Sequence, residues 1–390
     1  MTPAARIQAA IDCLDHILDG APAEQALTRW ARQSRFAGSK DRAAVRDHVF
    51  DALRARRSLA ALGGADTGRG LMLGALRAAG RDPDNVFGAG GHAPAPLAPE
   101  ERTAGAPPRD RAEAVDFPDW LWPELVASHG EADAERIARA LRERAPVFLR
   151  VNLAKGDRDA ACLALQRDGI SARPHASAAT AMVIEEGARR LRQSTAYTAG
   201  LVELQDGASQ AVVEALPLAP GTRVLDYCAG GGGKSLALAA HPGVDVCAHD
   251  ISEARLGDLL PRAERAGTPV TLLATKAQMN RQAPFDIVLC DVPCSGSGSW
   301  RRAPDAKWRL DEARLRELSD VQSGILEEAA ALVAPDGLLA YATCSVLRVE
   351  NEAVIERFRA AHPEWKIAFR RGWTLQDGTD GFFATHLKRG

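Results

Sequence analysis

Cys294 and Cys344 are the residues with the most chemistry to offer. Cys294 comes just after Phe285–Cys290, a run (FDIVLC) apolar enough for a strand buried on both faces. Asp291 closes that run, and Val292-Pro293 turns the chain, because proline cannot extend a strand ladder. Cys344 stands in a second such place, in LLAYATCS over Leu338–Ser345. A carboxylate and two thiols are therefore expected at the carboxyl ends of strands, where open α/β sheets bind ligands. Either cysteine alone is more often a buried structural residue. Together, with Asp291, they can meet over one substrate, and a thiolate there is a nucleophile.

A second stretch is suited to a cofactor. VLDYCAGGGGKSLALAA (Val224–Ala240) gives a strand, Asp226, then Cys228, Ala229, Gly230, Gly231, Gly232, Gly233 and Lys234 before a helix. Glycines admit a ligand close to backbone, and the helix start adds positive potential. Gly233-Lys234-Ser235 invites comparison with a phosphate-binding P-loop. That motif needs a glycine where Cys228 stands, so the spacing fails. The next strand ends at Asp250, an acid placed for a ribose hydroxyl pair. This loop alone leaves NAD and S-adenosylmethionine both open. After Ser295-Gly296-Ser297-Gly298 come Trp300, Arg301, Arg302, Lys307 and Trp308, types suited to phosphates and bases.

The elements that must position these residues follow from pattern. From Gly200 onward strands and helices alternate. Strands are expected at Val202–Leu204, Arg223–Asp226, Val244–His249, Val270–Ala274, Phe285–Cys290 and Leu338–Thr343. A last, antiparallel one is expected at Gly381–Leu387. Helical crossovers between parallel strands imply a doubly wound, mostly parallel sheet, a Rossmann-like α/β fold over 196–390. Residues 117–195 read as a small α+β domain, RRM-like or ferredoxin-like, with strands near 146–151, 170–173 and 181–185. Trp120 and Trp122 are expected to pack there rather than stack on bases. Residues 1–87 carry helical periodicity, including one helix over Lys40–Leu62. Residues 88–116, rich in Gly, Ala and Pro without period, read as a linker.

Composition sets the remaining bounds. The chain of 390 residues is 46% hydrophobic and 26% charged with net charge −2, ordinary for a soluble protein. No run is long and apolar enough for a membrane span, and the first residues do not form a signal peptide. Seven cysteines without CxxC spacing argue against zinc or any other metal and fit a cytoplasmic protein with reduced thiols. A monomer is expected.

The sequence resembles the RNA 5-methylcytosine methyltransferases of the Fmu/Sun type. The segments that carry the resemblance are LRVNLAK (Leu149–Lys155), LQDGASQ (Leu204–Gln210), LDYCAGGGGKS (Leu225–Ser235), DVPCSGSG (Asp291–Gly298), RRAPDAKW (Arg301–Trp308), ATCSVLRVENE (Ala342–Glu352) and DGFFATHL (Asp380–Leu387). They cover roughly residues 115 to 390. More weakly, Ser39–Arg54 resembles the NusB-like domain that some members carry. Three departures stand out. Gly230-Gly231 replace Ala-Pro in the glycine loop, Ala274-Thr275-Lys276 stands where the family often has an Asp on the adenine side, and Ala303 replaces a larger polar residue.

The resemblance implies a class I methyltransferase domain that uses S-adenosylmethionine and acts on cytosine in RNA, with ribosomal RNA preferred. Alternatives are a tRNA cytosine methyltransferase, a non-catalytic RNA-binding assembly factor with this fold, and a nucleotide-driven enzyme using the GKS segment. It implies Cys344 as nucleophile and Cys294 as base or release residue, with those roles exchanged as the runner-up. Asp291 is expected at the cytosine amino edge, and Lys234 is expected to assist a thiolate, to pair with Asp291, or to do both. Asp226, Asp250, Asp291 and the 228–234 loop are expected at the cofactor, and Arg301, Arg302 and Lys307 at RNA phosphates.

Overall fold

A computed structural model describes residues 1–390. They divide into two compact units. One is Met1–Arg144 with Trp300–Asp311; the other is Ala145–Ser299 with Glu312–Gly390.

The first unit is helical. Helices Pro3–Leu18, Ala23–Gln33, Ser39–Arg54, Arg56–Gly63 and Gly68–Ala78 bury Ile7, Leu14, Val45, Val49, Leu53 and Leu71 in one core. The single helix expected over Lys40–Leu62 is two, broken at Ala55. Asp116 explains the break: its buried carboxylate accepts from the Ser58 N–H at 2.8 Å and the Ser58 hydroxyl at 2.9 Å, satisfying a first-turn donor of the new helix. Residues 88–116, read as a linker, lie within this unit. They are held partly through backbone, with Arg77 donating to the carbonyl of Ala104 (2.6 Å) and Arg69 to those of Ala95 and Pro96 (both 3.1 Å). Contacts made through carbonyls leave no periodicity in the sequence.

The second unit holds two sheets. Strands β1 (Val147–Val151), β2 (Ser171–Pro174), β3 (Ala181–Glu186) and β4 (Val202–Leu204) form an antiparallel sheet in the order β2-β3-β1-β4. The helix Arg158–Arg167 covers it, burying Ala161 and Leu165 against Leu149, Val151 and Met182. β4 was expected in the larger sheet. It pairs with β1 instead, Leu149 opposite Leu204 and Val151 opposite Val202.

The larger sheet has strands β5 (Arg223–Asp226), β6 (Asp245–Ala248), β7 (Thr271–Leu272), β8 (Phe285–Asp291), β9 (Val333–Thr343), β10 (Trp365–Trp373) and β11 (Phe382–Arg389). Their order is β10-β11-β9-β8-β5-β6-β7; the five from β9 to β7 are parallel, and β11 runs antiparallel between β9 and β10. β10 is absent from the sequence-based expectation because it is an edge strand with most side chains exposed, so no apolar run marks it. From β5 the chain winds outward through β6 and β7, then returns to β8 on the other side of β5. The crevice at that reversal is where doubly wound sheets bind ligands. Asp226 pairs with Leu289, so Asp291 projects two residues further; Asp291 pairs with Ala342, which sets the Cys294 and Cys344 turns side by side.

Candidate active site

The glycine loop leaves β5 with two left-handed residues, Gly230 (φ 53°) and Gly232 (φ 80°), a conformation that penalises any Cβ. A Cβ on Gly230 would meet nothing within 4 Å, whereas one on Gly232 would lie 2.5 Å from Leu259. The loop is held from below by residues that sequence reasoning did not single out. Arg150, buried on β1, donates to the Gly233 carbonyl and to Gln205. Arg262 donates to the Gly231 carbonyl and pairs with Glu203 at 3.4 Å. Arg150 and Gln205 lie inside LRVNLAK and LQDGASQ, but nothing in those segments says that they meet.

Three carboxylates surround the loop. Asp226 is fully buried; one oxygen accepts from Ser235 Oγ at 2.6 Å, and the other, Oδ1, has no partner. Burial pushes this carboxyl up to about 7. Asp250 ends the β6 segment and accepts from the Gly230 N–H and the Ser252 N–H, both at 2.9 Å. Asp291 accepts from Lys234 Nζ at 2.6 Å, and that ammonium also sits 5.0 Å from the Phe382 ring centre. The ion pair expected between Lys234 and Asp291 is formed. Cys228 lies partly exposed, and burial raises its thiol. Thr275 caps the helix Lys276–Gln282, and Lys276 pairs with Glu328 at 2.6 Å. Neither supplies the missing acid on the adenine side.

The two cysteines meet. Cys294 Sγ lies 3.3 Å from Cys344 Sγ, too far for a disulfide and close enough for an S–H···S contact. Hydrogen bonding to Cys344, then burial, pushes the Cys294 thiol well up. The Cys344 carbonyl accepts from the Gly298 N–H at 2.9 Å, tying the two turns together. Glu350, completely buried, lies between them and accepts from the Ser295 N–H at 2.7 Å and from the Ser345 hydroxyl. A proton-carrying thiol beside a second thiol, next to a carboxylate–ammonium pair and a glycine loop, can add to an electrophilic carbon and manage a proton there.

The expected phosphate contacts need correction. Lys307 is 1% exposed; its ammonium donates to the Asp116 carbonyl and lies 4.5 Å from the Trp308 ring centre. Arg301 is buried too, and its carbonyl accepts from Arg54 at 2.9 Å. Trp300 is buried against Phe117, and Trp308 Nε1 donates to the Leu53 carbonyl. This segment packs into the helical unit, and of the three cations only Arg302 is exposed. No group of three or more His, Cys, Asp or Glu could hold a metal ion. No helix is long and apolar enough to cross a membrane.

Comparison with known proteins adds relatives to this geometry. Residues 213–388 match the family model described as 16S rRNA methyltransferase RsmB/F, and residues 117–189 match that of the RsmF/B-like ferredoxin-like domain. The chain is 36% identical over 289 residues to ribosomal RNA small subunit methyltransferase B of Xylella fastidiosa, covering 70% of this chain and 68% of that protein. It is 34% identical over 284 residues to the protein of that name from Citrobacter koseri, covering 69% of this chain and 66% of the relative's length. Among solved structures, PH0851 superposes with TM-score 0.78 at 24% identity over 100% of this chain and 99% of that one. A methyltransferase homolog protein from Pyrococcus horikoshii superposes with TM-score 0.63 at 23% identity, over 75% of this chain and 100% of that one. These two establish the fold.

Proposed function

We propose that this chain, which belongs to the RsmB/F family of 16S rRNA methyltransferases, transfers a methyl group from S-adenosylmethionine to carbon 5 of a cytosine in ribosomal RNA through a covalent cysteine adduct. The observation that supports this most directly is the 3.3 Å approach of two thiols at the ends of β8 and β9. A single nucleophile needs no second sulfur; an adduct that must also lose a proton can use one as its base.

The residues present fit the methyl donor. The unpartnered, buried Oδ1 of Asp226 suits its ammonium, and a cation there would draw that carboxyl into its charged form. Asp250 has acceptor capacity left for ribose hydroxyls beside its two N–H partners. Ile251, 96% exposed, gives an apolar face next to Asp250 for the base. The open space at Gly230 lets a ligand approach backbone, and Cys228, Ala229, Gly231, Gly232 and Gly233 complete the loop. When bound, S-adenosylmethionine supplies an electrophilic sulfonium methyl to carbon 5.

The chain's own residues do the rest. The Cys344 thiolate adds to carbon 6 of cytosine, and the carbon 5–carbon 6 pair shifts to make carbon 5 nucleophilic. Asp291, fixed by Lys234, accepts from the cytosine amino edge and favours protonation at N3. Cys294 first gives up its own proton to solvent; once carbon 5 is methylated, the Cys294 thiolate takes the carbon 5 proton, and the electron pair expels the Cys344 thiolate. The raised proton affinity of Cys294 makes that thiolate a strong base. The target base must leave its stack, which single-stranded or looped RNA makes less costly. The proposed setting is the cytoplasm, with the protein acting as a monomer and without metal. Bisulfite sequencing of small-subunit rRNA incubated with protein and S-adenosylmethionine tests the reading: one protected cytosine is expected, absent with Cys344→Ala. Methylation elsewhere than cytosine carbon 5 contradicts it.

A further inference from the structure

We infer that Glu350 is a positioning residue that fixes the two cysteine turns against each other at reacting distance. The inference rests on the proposed cysteine chemistry for its function, although the geometry stands by itself. Glu350 lies on the short turn Arg348–Glu350 and is completely buried. A buried carboxylate is costly unless both oxygens are satisfied. Here Oε1 accepts from the Ser295 N–H at 2.7 Å and from Gln322 Nε2 at 3.1 Å. Oε2 accepts from the hydroxyls of Ser295 and Ser345.

The placement of those donors carries the inference. Ser295 directly follows Cys294, and Ser345 directly follows Cys344. One side chain therefore grips the residue after each thiol. Gln322 extends the grip: its Nε2 also donates to the Pro293 carbonyl at 3.0 Å, so Cys294 is held on both sides. Ser345 is secured twice more, by Asn351 Nδ2 on its carbonyl at 2.9 Å and by Ser297 Oγ at 2.9 Å from its hydroxyl. A carboxylate that only stabilised the fold would have no reason to span the successors of both thiols. Displacing a reacting group by about 1 Å costs ~100-fold in rate, which is the scale of what such a clamp protects.

The test uses Glu350→Ala, Glu350→Gln and the double variant Ser295→Ala/Ser345→Ala, each checked for a cooperative melt. With Glu350→Ala, kcat should fall ~100-fold while KM for RNA and for S-adenosylmethionine moves little. Glu350→Gln keeps the shape and an acceptor, so it should recover most of that loss. A second readout needs no substrate. Diamide, an azo oxidant, takes two hydrogens and two electrons from the thiol pair and becomes a hydrazine as the Cys294–Cys344 disulfide forms. Wild type should close this bond fast, and Glu350→Ala roughly tenfold or more slowly, as expected when effective molarity drops. A folded Glu350→Ala with unchanged kcat and unchanged disulfide closure overturns the inference. If that variant does not fold, the double serine variant decides on the same two readouts. Should wild type methylate nothing, the functional reading fails, and disulfide closure still judges Glu350.

Discussion

Cys294 and Cys344 bring their sulfur atoms to 3.3 Å from adjacent strand ends, 50 residues apart in the chain. The pairing of Asp291 with Ala342 sets that approach, and hydrogen bonding to Cys344 raises the Cys294 thiol.

Alkylation should show that effect of the contact on Cys294. Thiolates react with iodoacetamide and thiols do not. At pH 8, brief labelling and peptide mass mapping should find Cys294 modified roughly tenfold faster in Cys344→Ala than in wild type, because the contact that raises its thiol is gone. Equal labelling would show that the contact does not hold the Cys294 proton.

The two left-handed glycines should fail differently. Gly230→Ala adds a methyl into open space, so its cost is backbone strain of about 1 kcal/mol, with S-adenosylmethionine affinity falling further if the loop holds the methyl donor as proposed. Gly232→Ala drives a methyl into Leu259 and should lose about 2–4 kcal/mol of stability. Calorimetric binding and urea melts on the two variants separate these outcomes; the reverse pattern would move the ligand away from Gly230.

Asp226 makes a pH prediction. Burial raises it from 3.8 to about 7, so between those values the folded state binds more protons than the unfolded. Its contribution is fully present below 3.8 and lost as pH rises through 7. Asp226→Asn lacks this titration. Its stability relative to wild type should therefore climb by up to about 4 kcal/mol from pH 4 to pH 8, read from urea melts.

Lys307 and Arg302 should separate folding from RNA binding. Lys307→Ala removes a packed, hydrogen-bonded side chain and should cost about 2–4 kcal/mol. Burial holds Lys307 down at about 7 from 10.5, so the folded state binds fewer protons across that window. Wild type should thus gain stability over Lys307→Met as pH rises from 7 towards 10.5. Arg302→Ala should lower the salt slope of RNA binding by about 1. An unchanged slope would remove Arg302 from the RNA surface.

The sheet and the gathering of these strand-end residues were legible because strand-end signals are local. Asp226, the four glycines, Asp291-Val292-Pro293-Cys294 and Thr343-Cys344 each mark the end of an apolar run, and the parallel order places those ends together. What sequence could not show is partnership between distant segments. Glu350 and Arg150 lie in segments noted for their resemblance, yet a carboxylate near a TCS turn does not announce which hydroxyls it will hold. Lys307 misled for the opposite reason. Lysine, arginine and tryptophan in one stretch read alike whether they face RNA or bury themselves in a helical core, and Asp116, the residue whose carbonyl receives that ammonium, is 191 positions away. β4 misled because a three-residue strand carries too little pattern to say which sheet it joins.

The central claim is that Cys344 attacks cytosine and Cys294 releases it. Denaturing gels of protein mixed with S-adenosylmethionine and labelled rRNA test this most directly. Cys294→Ala should accumulate a slow band of protein covalently joined to RNA, and Cys344→Ala should give neither that band nor methylated cytosine. A stable band with Cys344→Ala and none with Cys294→Ala would reverse the roles; no band with either variant, while wild type still methylates, would contradict the covalent route.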